Sequence, residues 1–140
     1  MTKTIRKIVM LAGFALISAS SYSQCDSTAS ICTTHMTADY ISDGQVYRAL
    51  LLKNETAEFH ATFYGGSTYR VAGCSGQQGK DLVFSIYDPE HNLLFTNTDY
   101  EGSPYWDFQF DFTVNCTIEA KLDDMGSPSG CAVLLISFRQ

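Results

Sequence analysis

From Trp106 to Leu122 every even position is apolar: Trp106, Phe108, Phe110, Phe112, Val114, Cys116, Ile118, Ala120 and Leu122. The odd positions between them are polar: Asp107, Gln109, Asp111, Thr113, Asn115, Thr117, Glu119 and Lys121. A period of two puts one set on a buried face and the other in water, which is the pattern of a half-buried β-strand. Strands rarely run beyond about ten residues, so this run is too long for one straight strand. It predicts two strands meeting at a bend near Thr113–Asn115, or one strand crossing between two sheets. Either way, the chain needs two stacked layers.

The rest of the body repeats the pattern in shorter pieces. Gln45–Leu52 is followed by the turn Lys53-Asn54-Glu55, and Thr56–Tyr64 alternates with Ala57, Phe59, Ala61 and Phe63 on one face. Thr68–Cys74 presents Tyr69 and Val71 to the core, and in Asp81–Asp88 the residues Leu82, Phe84 and Ile86 share a face. Asp88-Pro89-Glu90-His91-Asn92 is a turn because proline presets φ and Asn and Asp accept tight backbone. It joins Asp81–Asp88 to Leu93–Thr98 as a hairpin. Ala132–Ile136 is apolar at every position and reads as a strand buried on both sides. About eight strands in this spacing predict an all-β protein, an antiparallel β-sandwich of jelly-roll-like type. The sandwich takes residues 43–140, after an extension over 24–42 in which Ser27–Tyr40 reads as a helical turn or one more edge strand.

The first 23 residues read as an address. Lys3, Arg6 and Lys7 precede an apolar run from Ile8 to Ile17 and a small, polar stretch after it, the layout of a secretory signal peptide. The run is well short of the roughly 20 residues that span a bilayer as a helix, so no transmembrane helix is expected. Ser21 and Ser23 fit cleavage before Gln24. The rival is a lipid anchor at Cys25, making an outer-membrane lipoprotein; Gln24 is larger than a lipobox allows, which favours plain cleavage and a secreted or periplasmic product. The chain carries 15 acidic and nine basic residues; three of the basic ones lie in the signal, so the mature charge is 6 − 15 = −9. That balance excludes a nucleic-acid partner, which needs a basic stripe.

Five cysteines in an oxidising compartment imply disulfides and one odd sulfur. Two bridges among five cysteines allow 15 arrangements, between which the sequence does not choose. A Cys25–Cys32 bridge would pin the loose start, a bridge between Cys74 and Cys116 would join two strands, and Cys131 would then be a buried free thiol. If Cys25 were lipidated, the other four would form an even set. No C-x-x-C pair supports zinc.

The stretch Gly66-Ser67-Thr68-Tyr69-Arg70-Val71, then Asp81-Leu82-Val83-Phe84-Ser85-Ile86-Tyr87-Asp88, then a strand pair closing in Ala132–Phe138, resembles the bacterial pre-peptidase C-terminal domain over roughly Asp43 to Phe138. More loosely, the turn at Tyr87-Asp88-Pro89 is similar to that of the GOLD type of sandwich. The resemblance implies a compact jelly-roll-like sandwich that accompanies enzymes without being one.

Little in the sequence points to catalysis. Cys74 or Ser75 as nucleophile, with His60 as base and Asp81 as its orienter, is a hydrolase on paper, but Gly73-Cys74-Ser75-Gly76 is not a nucleophile elbow. Calcium would take loop carboxylates, with Asp39 and Asp43 at one turn and Asp99, Glu101 and Asp107 at another. The best ligand loop holds Asp99, Tyr100, Glu101, Tyr105, Trp106 and Asp107, where aromatic faces and carboxylates suit a sugar ring. Trp106 shares the parity of Phe108 and Phe110, which also fits a place in the core. The chain is therefore expected to be an exported non-catalytic module that binds a glycan or a protein; the alternative is a structural subunit of an envelope assembly using an exposed sheet edge.

Overall fold

A computed structural model of the chain describes residues 20–76, 82–124 and 127–140. The greater part of the signal segment and Asp81 lie outside the described residues. Helix α1 covers Ser20–Thr33 and is followed by eight strands: β1 Ile41–Leu52, β2 Thr56–Phe63, β3 Thr68–Cys74, β4 Leu82–Tyr87, β5 Leu93–Thr96, β6 Tyr105–Gln109, β7 Val114–Leu122 and β8 Ser129–Arg139. A 3-10 turn, Asn97–Tyr100, lies between β5 and β6.

The strands form two four-stranded antiparallel sheets, in the order β1-β8-β3-β6 and β2-β7-β4-β5. Strand 1 pairs with 8 and 3 with 6 in the first layer, and 2 with 7 and 4 with 5 in the second. That is one long folded ribbon rolled over itself, the jelly roll the strand count leads one to expect. The long alternating run crosses between the layers: β6 lies in the first sheet and β7 in the second, and 110–113 bridge them.

The core follows from the parity. Phe63, Val71, Phe84, Ile86, Ile118 and Leu134 are all below 2% exposed and fill the space between the sheets. Leu82, Phe84 and Ile86 of β4 face Leu122, Ala120 and Ile118 of β7 in register, so each inward side chain meets another across the ladder. The β4–β5 hairpin turns where proline and the Asx residues predict it. Asn92 donates its backbone N–H to Asp88 Oδ1 at 2.8 Å and its side-chain Nδ2 to Asp88 Oδ2 at 2.8 Å.

Strand β8 is buried from Cys131 through Ser137 because both of its faces are covered. Its even residues enter the sandwich. Its odd residues, Cys131, Val133 and Leu135, pack with Ala72 and Cys74 of β3 under Ala29 and Cys32 of α1. The extension over 24–42 is therefore a lid on the first sheet rather than an edge strand. Cys25, Thr28, Ala29 and Cys32 stand at i, i+3, i+4 and i+7, one face of a helix, and Thr28, Ala29 and Cys32 are buried.

The disulfides choose among the open pairings and depart from the local ones, with Cys116 rather than Cys131 as the free thiol. Cys25 bonds Cys131 and Cys32 bonds Cys74, while Cys116 is the free, buried thiol. The two helix cysteines point the same way, towards the sheet, so each finds a strand cysteine beneath it and not the other. Cys116 faces the core from β7, in the other layer, where burial pushes its thiol up to about 11. With its sulfur in a disulfide, Cys25 has none left to carry a lipid thioether. Two disulfides fit a compartment outside the cytoplasm, and among the described residues no helix is long and apolar enough to cross a membrane.

Candidate functional site

The loop from Asp99 to Asp107 divides between two sides of the molecule. Its anchor is Asn97, which is fully buried. The Asn97 side chain donates to the carbonyls of Leu82 at 2.9 Å and Ser103 at 3.2 Å, and accepts the Phe84 N–H at 3.1 Å. In this way one amide serves β4 where β5 has ended. Tyr100 then sits on Trp106 with ring centroids 4.2 Å apart, and both rings stack on Phe95. Asp99, Tyr100 and Glu101 remain exposed at the tip, and Glu101 takes the left-handed backbone at φ 58°.

Tyr105 and Asp107 point the opposite way, onto the outer face of the first sheet. Asp107 accepts two hydrogen bonds from Arg70, Nε–Oδ1 at 2.6 Å and Nη2–Oδ2 at 2.8 Å. The Arg70 guanidinium lies between the rings of Tyr40 and Tyr105, 4.5 and 4.6 Å from their centroids, and donates to the carbonyl of His35 at 3.0 Å. The Arg70 hydrogen bonds hold the Asp107 carboxyl below the usual carboxylate range, and the same bonds raise Arg70. Burial, then Arg70, lowers His35. This is a pin between the extension and the sheet, and it leaves Asp107 no free fork for a sugar. The six loop residues thus do not converge on one site.

What the loop does join is an aromatic row along the open side between β5 and β6. From Trp106 it continues through Phe95 and Phe108, 5.0 Å apart, to Phe110 at 6.2 Å from Phe108. These side chains face inward, yet β5 has four residues and β6 five, too short to close the layers over them. The result is a groove of about 580 Å³ floored by Ile86, Phe108, Phe110 and Val114. Phe112, at its end, is 74% exposed, and Leu93 and Leu94 are 52% and 47% exposed. Asp88 and Glu90 from the hairpin turn line the same groove. Gly65 fixes the position of Phe112: a Cβ there would lie 2.8 Å from the Phe112 Cα, so only glycine lets the crossing segment sit on the β2–β3 turn. The alternation of 106–112 marks these aromatics as core; the signal that they reach the surface is the shortness of the strand before the crossing.

The other chemical candidates separate. Cys74 is spent in its disulfide, and Ser75 is 2% exposed at the end of β3. His60 stands on the outer face of the second sheet, its Nε2 3.3 Å from Glu58 Oε1 and its Nδ1 3.4 Å from the Thr117 hydroxyl. The hydrolase using Cys74 or Ser75 with His60 is therefore overturned, the sulfur being oxidised, the hydroxyl buried and His60 on the outer face of the other sheet. Asp39 pairs with Arg139 at 2.9 Å, and Asp43 accepts from the Gln45 N–H and the Tyr47 hydroxyl. Among the described residues no three His, Cys, Asp or Glu side chains come together as a metal site.

No protein-family model and no curated relative matches the chain, so the resemblance to the pre-peptidase C-terminal domain rests on the strand pattern alone. Among solved structures, the fold is similar to the crystal structure of Aeromonas hydrophila PliG, a periplasmic lysozyme inhibitor of g-type lysozyme. The TM-score is 0.51 at 13% identity, over 68% of this chain and 85% of that one. A likeness of this size concerns the β-sandwich.

Proposed function

We propose that this chain is an exported, non-catalytic binding protein that docks a cationic protein on its β5–β6 side. The groove carries the reading. It combines exposed Phe112 and Leu94 with the carboxylates of Asp88 and Glu90, on a chain of net charge −6. Exposed aromatic and aliphatic anchors are what binding hot spots are made of, and an acidic rim steers a basic partner and rejects an acidic one. Asp99 and Glu101 add negative charge on the exposed loop that follows β5. The similar fold of a periplasmic lysozyme inhibitor supports a role as an inhibitor of a secreted, basic hydrolase, and the disulfides support a periplasmic or extracellular place of action.

Edge-to-edge assembly finds less support. Strand β1 breaks register between Ser42 and Val46 and turns Asp43 inward, and β5 and β6 are short; all three are devices that blunt an edge.

The test is lysis of cell walls by a g-type lysozyme with and without the protein, alongside binding measured at low and high salt. Inhibition that weakens with salt and falls by roughly tenfold or more in Phe112→Asp is expected. Absence of binding at low salt, or equal inhibition by the variant, contradicts the reading.

A further inference from the structure

On the opposite side of the sandwich, between edge strands β1 and β2, the sheets part again, and the opening has a different chemistry. It is a cleft of about 670 Å³, within the roughly 300–1,000 Å³ range of small-ligand sites. We infer that this cleft is a binding site for a neutral saccharide of one or two rings, independent of the β5–β6 groove.

The lining carries the inference. The register break in β1 turns Asp43 into the gap, where its Oδ2 accepts from the Tyr47 hydroxyl at 3.3 Å and its Oδ1 from the Gln45 N–H at 2.9 Å. Each carboxylate oxygen keeps a second lone pair for a ligand hydroxyl. Tyr47 is in turn braced edge-on by Phe59, centroids 5.8 Å apart, so the carboxylate and phenol are held in place before any ligand arrives. Gln45 and Gln140 add amides that both donate and accept. Tyr64, 61% exposed, stands at the mouth, and its backbone N–H is fixed by the Tyr69 hydroxyl at 3.0 Å. Ile136 and Phe138 supply an apolar floor.

This mixture selects for one class of ligand. The carboxylate repels anions; among the lining residues Asp43 brings the one carboxylate side chain, too few oxygens of that kind for a metal cage, and His60 at the edge is turned to Glu58 at 3.3 Å. Alternating donors and acceptors over an apolar floor match a ring with hydroxyls around its edge and C–H bonds on its face. The acidic loop Asp99–Asp107 lacks this convergence, because its members point to opposite sides.

The experiment is an amide NMR titration of the intact, oxidised protein with maltose, cellobiose and N,N′-diacetylchitobiose. Saturable shifts confined to residues 43–47, 64–69 and 136–140 are expected with at least one of them. Tyr64→Ala and Tyr47→Phe are expected to weaken that binding by about tenfold and by about threefold, losing a stacking face and one hydrogen bond. Tyr64 is exposed, so its variant keeps the fold, which the same spectra report. Leu94→Asp, on the groove and 47% exposed, is expected to leave the sugar titration unchanged, which separates this site from the protein-docking groove. No saturable shift at the cleft with any of the three sugars, or shifts that Tyr64→Ala and Tyr47→Phe both leave unaltered, overturns the inference.

Discussion

Each sheet has four strands, but the first is covered on both faces and the second on one. On the first, α1 lies across β8 and β3 and is tied down by Cys25–Cys131 and Cys32–Cys74. On the second, Thr56, Glu58, His60 and Thr62 of β2 and Asn115, Thr117, Glu119 and Lys121 of β7 face water. The difference is written in the strands. A strand between two packed layers must be apolar at every position, as Cys131–Ile136 is, whereas a strand with one wet face alternates, as Val114–Leu122 does. It also divides labour: the first sheet's back is given over to holding the fold, while the two open sides of the sandwich carry its clefts.

Breaking the staple has the largest expected effect. The Cys32–Cys74 bridge closes 42 residues of chain and joins the lid to the sheet. Cys32→Ala/Cys74→Ala is expected to cost about 2–4 kcal/mol in denaturant unfolding, with amide exchange rising first in α1 and β3 and last in β2 and β7. Equal loss of protection in both sheets would erase the distinction between them.

Second in size is the pin. Arg70→Met removes a bidentate pair and two ring contacts and leaves Asp107 to Tyr40 and the more distant Arg139, an expected loss of about 2 kcal/mol. It also changes the response to acid. Because Arg70 depresses the folded pKa of Asp107, the pair's contribution is complete above the ordinary carboxylate pKa of about 4 and is lost as pH falls through the lower folded value. Melting of the wild type below pH 4 is therefore expected to drop more steeply than melting of Arg70→Met. Parallel pH profiles would show that the pin contributes nothing.

The smallest effect belongs to the bare face, and its sign is opposite. Glu58 and Glu119 stand directly across the β2–β7 ladder, where like charges destabilise. Glu119→Lys is expected to raise stability by roughly 0.2–1 kcal/mol, read as a higher urea midpoint that shrinks in salt. A loss larger than that would mean Glu119 makes a contact the open face does not provide.

The same contrast explains how much the sequence reveals. Period-two runs in Thr56–Phe63, Thr68–Cys74 and Val114–Leu122 fix strand faces because one side meets water, and Asp88–Asn92 names its turn through proline and side-chain geometry. The crossing of Trp106–Leu122 between layers follows from length. Disulfide pairing was not legible from strand spacing, since it depends on α1 lying across the sheet. Weak helix formers fill Ser20–Thr33, and only the i, i+3, i+4, i+7 set of Cys25, Thr28, Ala29 and Cys32 betrays the buried face. At the candidate site, parity put Trp106 beside Phe108 and Phe110, and the structure keeps them together. Parity also implies that Tyr105 and Asp107 leave the loop for the other face. What parity does not report is strand length, and the short β5 and β6 are what open the groove.

The most direct test of binding on the open β5–β6 side is the footprint of a bound partner. Hydrogen exchange of the oxidised protein, alone and with a g-type lysozyme at low salt, locates it. Protection gained in 93–100 and 105–114, with α1 and the outer face of β2 and β7 unchanged, is the expected result. Protection centred on α1 or on β2 and β7, with 105–114 untouched, would contradict it.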